Sequence, residues 1–183
     1  MKTFLSSLRL LAVLTLLTGL LYPLAVWGVG RVFFRDAAEG SLLRQNGHVV
    51  GSALLAQKTT DARYFWPRPS AGDYATVASG ASNLAWTSAK LATSVAERQT
   101  QFGGGEVPTD LLTASGSGLD PDVSPEAIRA QLARVIQARA LSADQQHALD
   151  DLIARRLVGG HLSPARVNVL QLNLDLDQAF PSP

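Results

Sequence analysis

Residues 10–30 contain no charged side chain. At a helical rise of about 1.5 Å per residue they span about 30 Å, the hydrocarbon thickness of a bilayer. Two other readings compete. A secretory signal has an apolar run of about 7–15 residues and a small-x-small cleavage site. Ala25-Val26-Trp27 puts an indole where a small residue belongs. A buried core helix of this length is out of proportion to the one modest domain that 183 residues allow. The reading kept is a membrane anchor: an N-terminal head over residues 1–9, a transmembrane helix over 10–32 and a soluble domain over 33–183.

Tyr22-Pro23 interrupts the span. Proline removes a backbone donor and disturbs a helix near its own position. A membrane tolerates this where neighbouring helices cover the freed carbonyl. Thr18 and Gly19 stand one turn earlier and admit close approach of another helix. Thr18, Gly19, Tyr22 and Pro23 are therefore candidate partner-binding residues. Charge does not orient the span: Lys2 and Arg9 precede it, while Arg31, Arg35 and Arg44 come after it, diluted by Asp36 and Glu39. A short head before an early span favours export of the downstream chain, which makes the soluble domain extracytoplasmic.

Net charge is +1, with no basic stripe, so nucleic acid is not a partner. There is no cysteine, hence no disulfide framework and no thiolate metal site. Hydrophobic residues make up 46% of the chain, enough for a packed core beyond the anchor.

The pattern after the anchor mixes strands and helices. Residues 36–47 read as a polar connection and 48–55 as a strand. Residues 61–74, rich in aromatics, Pro and Gly, read as an ordered loop that Tyr64, Phe65 and Trp66 pin to the core or to a partner. Residues 87–102 read as a helix stopped by Gly103-Gly104-Gly105, and 107–113 as a second strand. Ser124-Pro125-Glu126 is a helix start, leading into the stripe Ile128, Leu132, Val135 and Ile136. Ser142 with Gln145 is a capping box; Leu149, Leu152, Ile153 and Leu157 form the next buried face, ended by Gly159-Gly160. Residues 167–176 alternate Leu170, Leu172, Leu174 and Leu176 with polar residues and read as the cleanest strand. The fold class is thus one N-terminal transmembrane helix and, after it, a small mixed α/β domain of about three strands and three helices.

No catalytic constellation emerges. Gly103-Gly104-Gly105 ends a helix and lacks the Lys and Ser/Thr of a phosphate loop. Gly116-Ser117-Gly118 lacks nucleophile-elbow spacing, and Ser115, Ser117, His147 and His161 form no ordered triad. The three histidines have no i, i+4 pair for a metal. Asp110, Asp120 and Asp122 are thin grounds for a cation site. The loop over residues 113–122 is dense in small hydroxyls and Gly. Its hydroxyls and Asp120 satisfy turn amides, and its surface can also meet a partner. Thr113, Ser115, Ser117 and Asp120 complete the candidate partner-binding set.

Five ordered segments carry a resemblance over nearly the whole chain. They are Thr18-Gly19-Leu20-Leu21-Tyr22-Pro23, Tyr64-Phe65-Trp66-Pro67-Arg68-Pro69-Ser70, Ser79-Gly80-Ala81-Ser82-Asn83-Leu84, residues 107–125, and Arg166-Val167-Asn168-Val169-Leu170. Together they resemble the C subunit of the bacterial high-affinity potassium-transporting ATPase complex, the Kdp system. The resemblance implies a non-catalytic accessory subunit of an ATP-driven potassium importer. Its implied partners are a channel-like potassium-binding subunit, a P-type ATPase subunit and a small membrane peptide. The implied location is the bacterial inner membrane, with a cytoplasmic N-terminus and a periplasmic domain. ATP enters through the resemblance alone, as the nucleotide whose affinity the family's C subunit raises in the ATPase subunit. The alternative is an anchored extracytoplasmic binding or scaffold protein unrelated to transport.

Overall fold

The structure is a computed structural model that describes residues 2–181. It divides into two compact units, residues 1–42 and 43–183.

The first unit is the anchor. α1 (Lys2–Leu16), a π-helical turn (Leu17–Leu21) and α2 (Tyr22–Phe33) form one continuous helix of 32 residues. At the helical rise this is about 48 Å, longer than a hydrocarbon core. Most of the residues read as a head are therefore helical too. No residue of α1 or α2 is buried, although the helix is apolar all round. Such a helix needs lipid or other helices around it. Pro23 acts as the sequence requires, through a widened turn. Its ring collides with the carbonyl four residues back, and the Tyr22 N–H bonds to the Leu17 carbonyl instead, five residues back. α3 (Arg35–Ala38) comes next, and Glu39 accepts from Arg31 and Arg35, each at 3.1 Å.

The second unit begins with a hairpin. β1 (Leu42–Gln45) pairs with β2 (His48–Ser52). The turn residues Asn46 and Gly47 have φ of 51° and 81°. The apolar pattern reveals β2 but leaves β1 inside the polar connection. Asn-Gly between short apolar runs is the hairpin signal for it, since only these residue types accept two successive left-handed conformations.

After a long segment without regular elements come α4 (Ala89–Gln101), α5 (Thr109–Leu112), β3 (Asp122–Val123), α6 (Pro125–Arg139), α7 (Ala143–Arg156), β4 (Leu157–Val158), β5 (Arg166–Asn168) and α8 (Val169–Ala179). β3, β5 and β4 form a small antiparallel sheet with β5 central; Val123 and Leu157 both stand opposite Val167. The core lies where this sheet meets α6, α7 and α8. Phe65, Leu111, Ile128, Val135, Leu149, Val167, Leu172 and Leu176 are all but fully buried there. Each such side chain contributes about 1.5–3 kcal/mol of transfer free energy.

Both helix starts read from the sequence are present. Ser124 Oγ accepts from the Ala127 N–H at 3.1 Å. Ser142 and Gln145 exchange the two bonds of the capping box. The stripe on α6 is also as read, with Ile128 and Val135 buried and Leu132 and Ile136 packed beside them.

Three expectations are corrected. Residues 107–113 contain the short helix α5, not a strand. Leu157 is half-exposed in β4 rather than on a buried helical face, because α7 ends at Arg156. The tail is strand only over β5; from Val169 it is helical. Asn168 caps α8, its Oδ1 accepting from the Gln171 N–H at 3.1 Å. The buried residues of α8 are Val169, Leu172, Asn173 and Leu176, a helical spacing. Leu170 and Leu174 are only partly covered. Leu and Gln are strong helix formers, and no β-branched residue comes after Val169 to resist the turn.

Candidate partner-binding site

The eight candidate residues fall in two places. Thr18, Gly19, Tyr22 and Pro23 lie in and beside the π-helical turn of the anchor. Thr18 Oγ1 donates to the Leu14 carbonyl at 2.7 Å, which hides its hydroxyl from lipid. A Cβ on Gly19 would have only Thr15 Cγ2 nearby, at 4.0 Å. Gly19 therefore opens a shallow notch, lined with Leu8, Leu11, Ala12, Thr15 and Leu16 among others. Tyr22 is exposed.

The other four lie on the 113–122 loop, and three of them are committed inside the domain. Thr113 Oγ1 donates to the Thr109 carbonyl at 2.9 Å. Ser115 is buried; its N–H donates to the Pro69 carbonyl at 3.0 Å, and its Oγ accepts from the Asp120 N–H at 3.5 Å. Asp120 accepts from the Asp122 N–H and pairs with Arg68, both at 3.1 Å. Ser117 is exposed and accepts from the Leu119 N–H at 3.1 Å. Gly118 has φ +72°, and a Cβ there would meet the Gly80 carbonyl oxygen at 2.9 Å. Only glycine fits, and it lets the 113–122 loop press against the 79–84 segment.

The loop is thus a junction. Ala56 N–H donates to the Leu119 carbonyl at 2.9 Å and Val169 N–H to the Pro121 carbonyl at 3.0 Å. Asp110 Oδ2 accepts from the Ser124 N–H at 2.7 Å, and Asp122 pairs with Arg166 at 3.0 Å. Asp110, Asp120 and Asp122 are each engaged in this way by a donor of the chain. Among the described residues no group of His, Asp or Glu is placed to hold a metal ion.

The polar centre of the domain escapes sequence reasoning. Gln131 and Asn173, from α6 and α8, are buried among apolar residues. Asn173 bonds both backbone groups of Phe65, and Gln131 both backbone groups of Trp66. Arg134 lies 3.8 Å above the Trp66 ring and donates to the carbonyls of Ala62 and Tyr64 at 2.7 and 2.9 Å. Burial lowers its guanidinium pKa to about 10. Arg139 pairs with Asp177 at 2.6 Å, whose other oxygen accepts from Tyr64 OH at 2.9 Å. Burial, and after it the bond to Asp177, raises the Tyr64 pKa. The one available signal is Gln131, a polar residue inside the apolar stripe of α6. The Tyr64-Phe65-Trp66 segment is pinned to the core, the first of the two anchorages expected for it.

Four of the five segments that carry the resemblance, those of the second unit, therefore pack on one another: 64–70 and 79–84 on the 113–122 loop, and 166–170 beneath it. Family comparison agrees. Residues 4–178 match the family model described as K+-transporting ATPase, c chain. The chain belongs to the KdpC family. A Potassium-transporting ATPase KdpC subunit of Rhodospirillum rubrum is 48% identical to it, with 99% of this chain and 98% of the relative covered. One from Cereibacter sphaeroides is 46% identical, covering 94% and 95%. One from Pseudomonas syringae pv. tomato is 49% identical, covering 97% and 94%. The KdpC match takes in both the anchor helix and the α/β domain, so both units are family features.

Proposed function

We propose that this KdpC-family chain is the non-catalytic accessory subunit of an ATP-driven potassium-importing complex. The observation that carries the reading is the extent of the match: it runs over residues 4–178 and leaves neither unit outside the family. The relatives are named as subunits of a potassium-transporting ATPase. The architecture supports a subunit role. The anchor is an apolar helix of membrane-spanning length with no buried residue of its own, and it has a notch at Gly19 suited to a neighbouring helix.

In this reading the helix packs in the inner membrane against a channel-like potassium-binding subunit, a P-type ATPase subunit or the small peptide of the complex. The domain lies in the periplasm, with Ser117 and the outer rim of the 113–122 loop turned toward a partner. An effect on ATP affinity then reaches the ATPase subunit as coupling across the assembly. It needs no nucleotide held by this chain.

Reconstitution tests this. The complex assembled with and without the chain is assayed for potassium-stimulated ATP hydrolysis over a range of ATP concentrations. Loss of stimulation, or a raised KM for ATP, is expected when the chain is left out. Full activity of the remaining subunits overturns the proposal.

A further inference from the structure

Beside the 113–122 loop is a cleft of about 310 Å³, lined by Ser70, Ser82, Ser94, Lys90, Arg98 and small or apolar residues. Among the described residues no carboxylate lines it. Lys90 is exposed, and its ammonium group bonds to no other described residue. Arg98 spends one nitrogen on the Leu112 carbonyl, at 2.7 Å, and its remaining donors are uncommitted. The hydroxyls of Ser82 and Ser94 are also without a partner among the described residues. Most other arginines of this domain are held differently: Arg63, Arg68, Arg129, Arg139, Arg156 and Arg166 each face an acidic partner. Two cations and two free hydroxyls at one concave place, with no acid to balance them, make a receptor for an anion that accepts several hydrogen bonds.

We infer that this cleft binds a phosphate group, either on the headgroup of an anionic phospholipid or as the free ion. Phosphate supplies the acceptors that Lys90, Arg98, Ser82 and Ser94 require. The lipid source has its own support. The same segment that walls the cleft carries Val77 and Trp86, exposed at 101% and 92%. The chain also carries an apolar helix of membrane-spanning length. Exposed indoles are enriched at membrane interfaces, and basic side chains near a membrane surface attract anionic headgroups.

The test uses the full chain in neutral detergent, titrated calorimetrically with short-chain phosphatidylglycerol, short-chain phosphatidylcholine and inorganic phosphate. Saturable one-to-one binding of phosphatidylglycerol or of phosphate, weakened about tenfold in Lys90→Gln, is expected. Binding of phosphatidylglycerol alone assigns the lipid source; binding of phosphate that competes with the lipid assigns the free ion. Arg129→Gln removes the same charge outside the cleft and is expected to leave affinity unchanged. The inference fails if neither anion saturates, if phosphatidylcholine binds equally well, or if Arg129→Gln weakens binding as much as Lys90→Gln. The outcome is independent of whether the chain assembles with an ATPase.

Discussion

The carboxamide of Asn173 closes on both backbone groups of Phe65, its Oδ1 accepting from the Phe65 N–H and its Nδ2 donating to the Phe65 carbonyl, each at 2.9 Å. Gln131 does the same for the next residue, Trp66, at 2.8 and 3.1 Å. Two side chains from two helices thereby replace the ladder that a strand over residues 65–66 would have had. This lets an irregular segment enter the core without orphaned peptide groups. Asn173→Leu leaves two buried peptide groups unpaired. It is expected to cost about 2–4 kcal/mol, seen as a lowered midpoint in urea unfolding monitored by circular dichroism. An unchanged midpoint would show that the pairing contributes nothing.

The tail separates a helix from a strand by mutation. On α8, Leu172 is fully buried and Leu174 only partly. Leu172→Ala is expected to cost about 2–5 kcal/mol and Leu174→Ala clearly less, by the same unfolding assay. A strand would bury both on one face and make the two equal. Leu172→Asp is expected to prevent folding, because it buries an unpaired charge.

Tyr74 sets an alkaline limit. Burial, assisted by Asp73, raises its pKa from 10.0 to about 12, and its hydroxyl donates to the Arg68 carbonyl at 2.8 Å. The folded state holds this proton more tightly than the unfolded state. The contribution to stability is therefore complete below pH 10 and declines as pH rises toward about 12. Titration by tyrosinate absorbance is expected to show a component at about pH 12 that is lost in Tyr74→Phe. Ionisation of Tyr74 near pH 10 would contradict the burial argument.

The anchor is expected to pack through Gly19. Gly19→Leu fills the notch over Thr15 and blocks close helix approach. Reduced co-purification with the other subunits and reduced potassium-stimulated ATPase activity are expected. Undiminished yield and activity would leave Gly19 as a residue that merely faces lipid.

Topology can be read at Ser117. The chain has no cysteine, and Ser117 is exposed on the 113–122 loop. Ser117→Cys is expected to react with a membrane-impermeant thiol reagent in intact spheroplasts. Labelling that appears only after lysis would place the domain in the cytoplasm.

The sequence by itself determined the features that local physics controls. The uncharged run of residues 10–30 required an apolar environment whatever the rest of the chain did. Pro23 had to disturb the helix. Ser124-Pro125 and Ser142 with Gln145 closed their caps with neighbours a turn away, so their geometry was written in spacing. Tertiary structure decided the elements whose signal was ambiguous or distant. Alternating leucines at 170–176 fit a strand by period, and also fit a helix in which only Leu172 and Leu176 face inward. Asn173 breaks the tie: it stands on the buried face because Phe65, far away in sequence, brings two peptide groups that need a partner there. The roles of Gln131 and Arg134 have the same origin. Each depends on a contact between segments distant in sequence, and neither period nor composition records which segments meet.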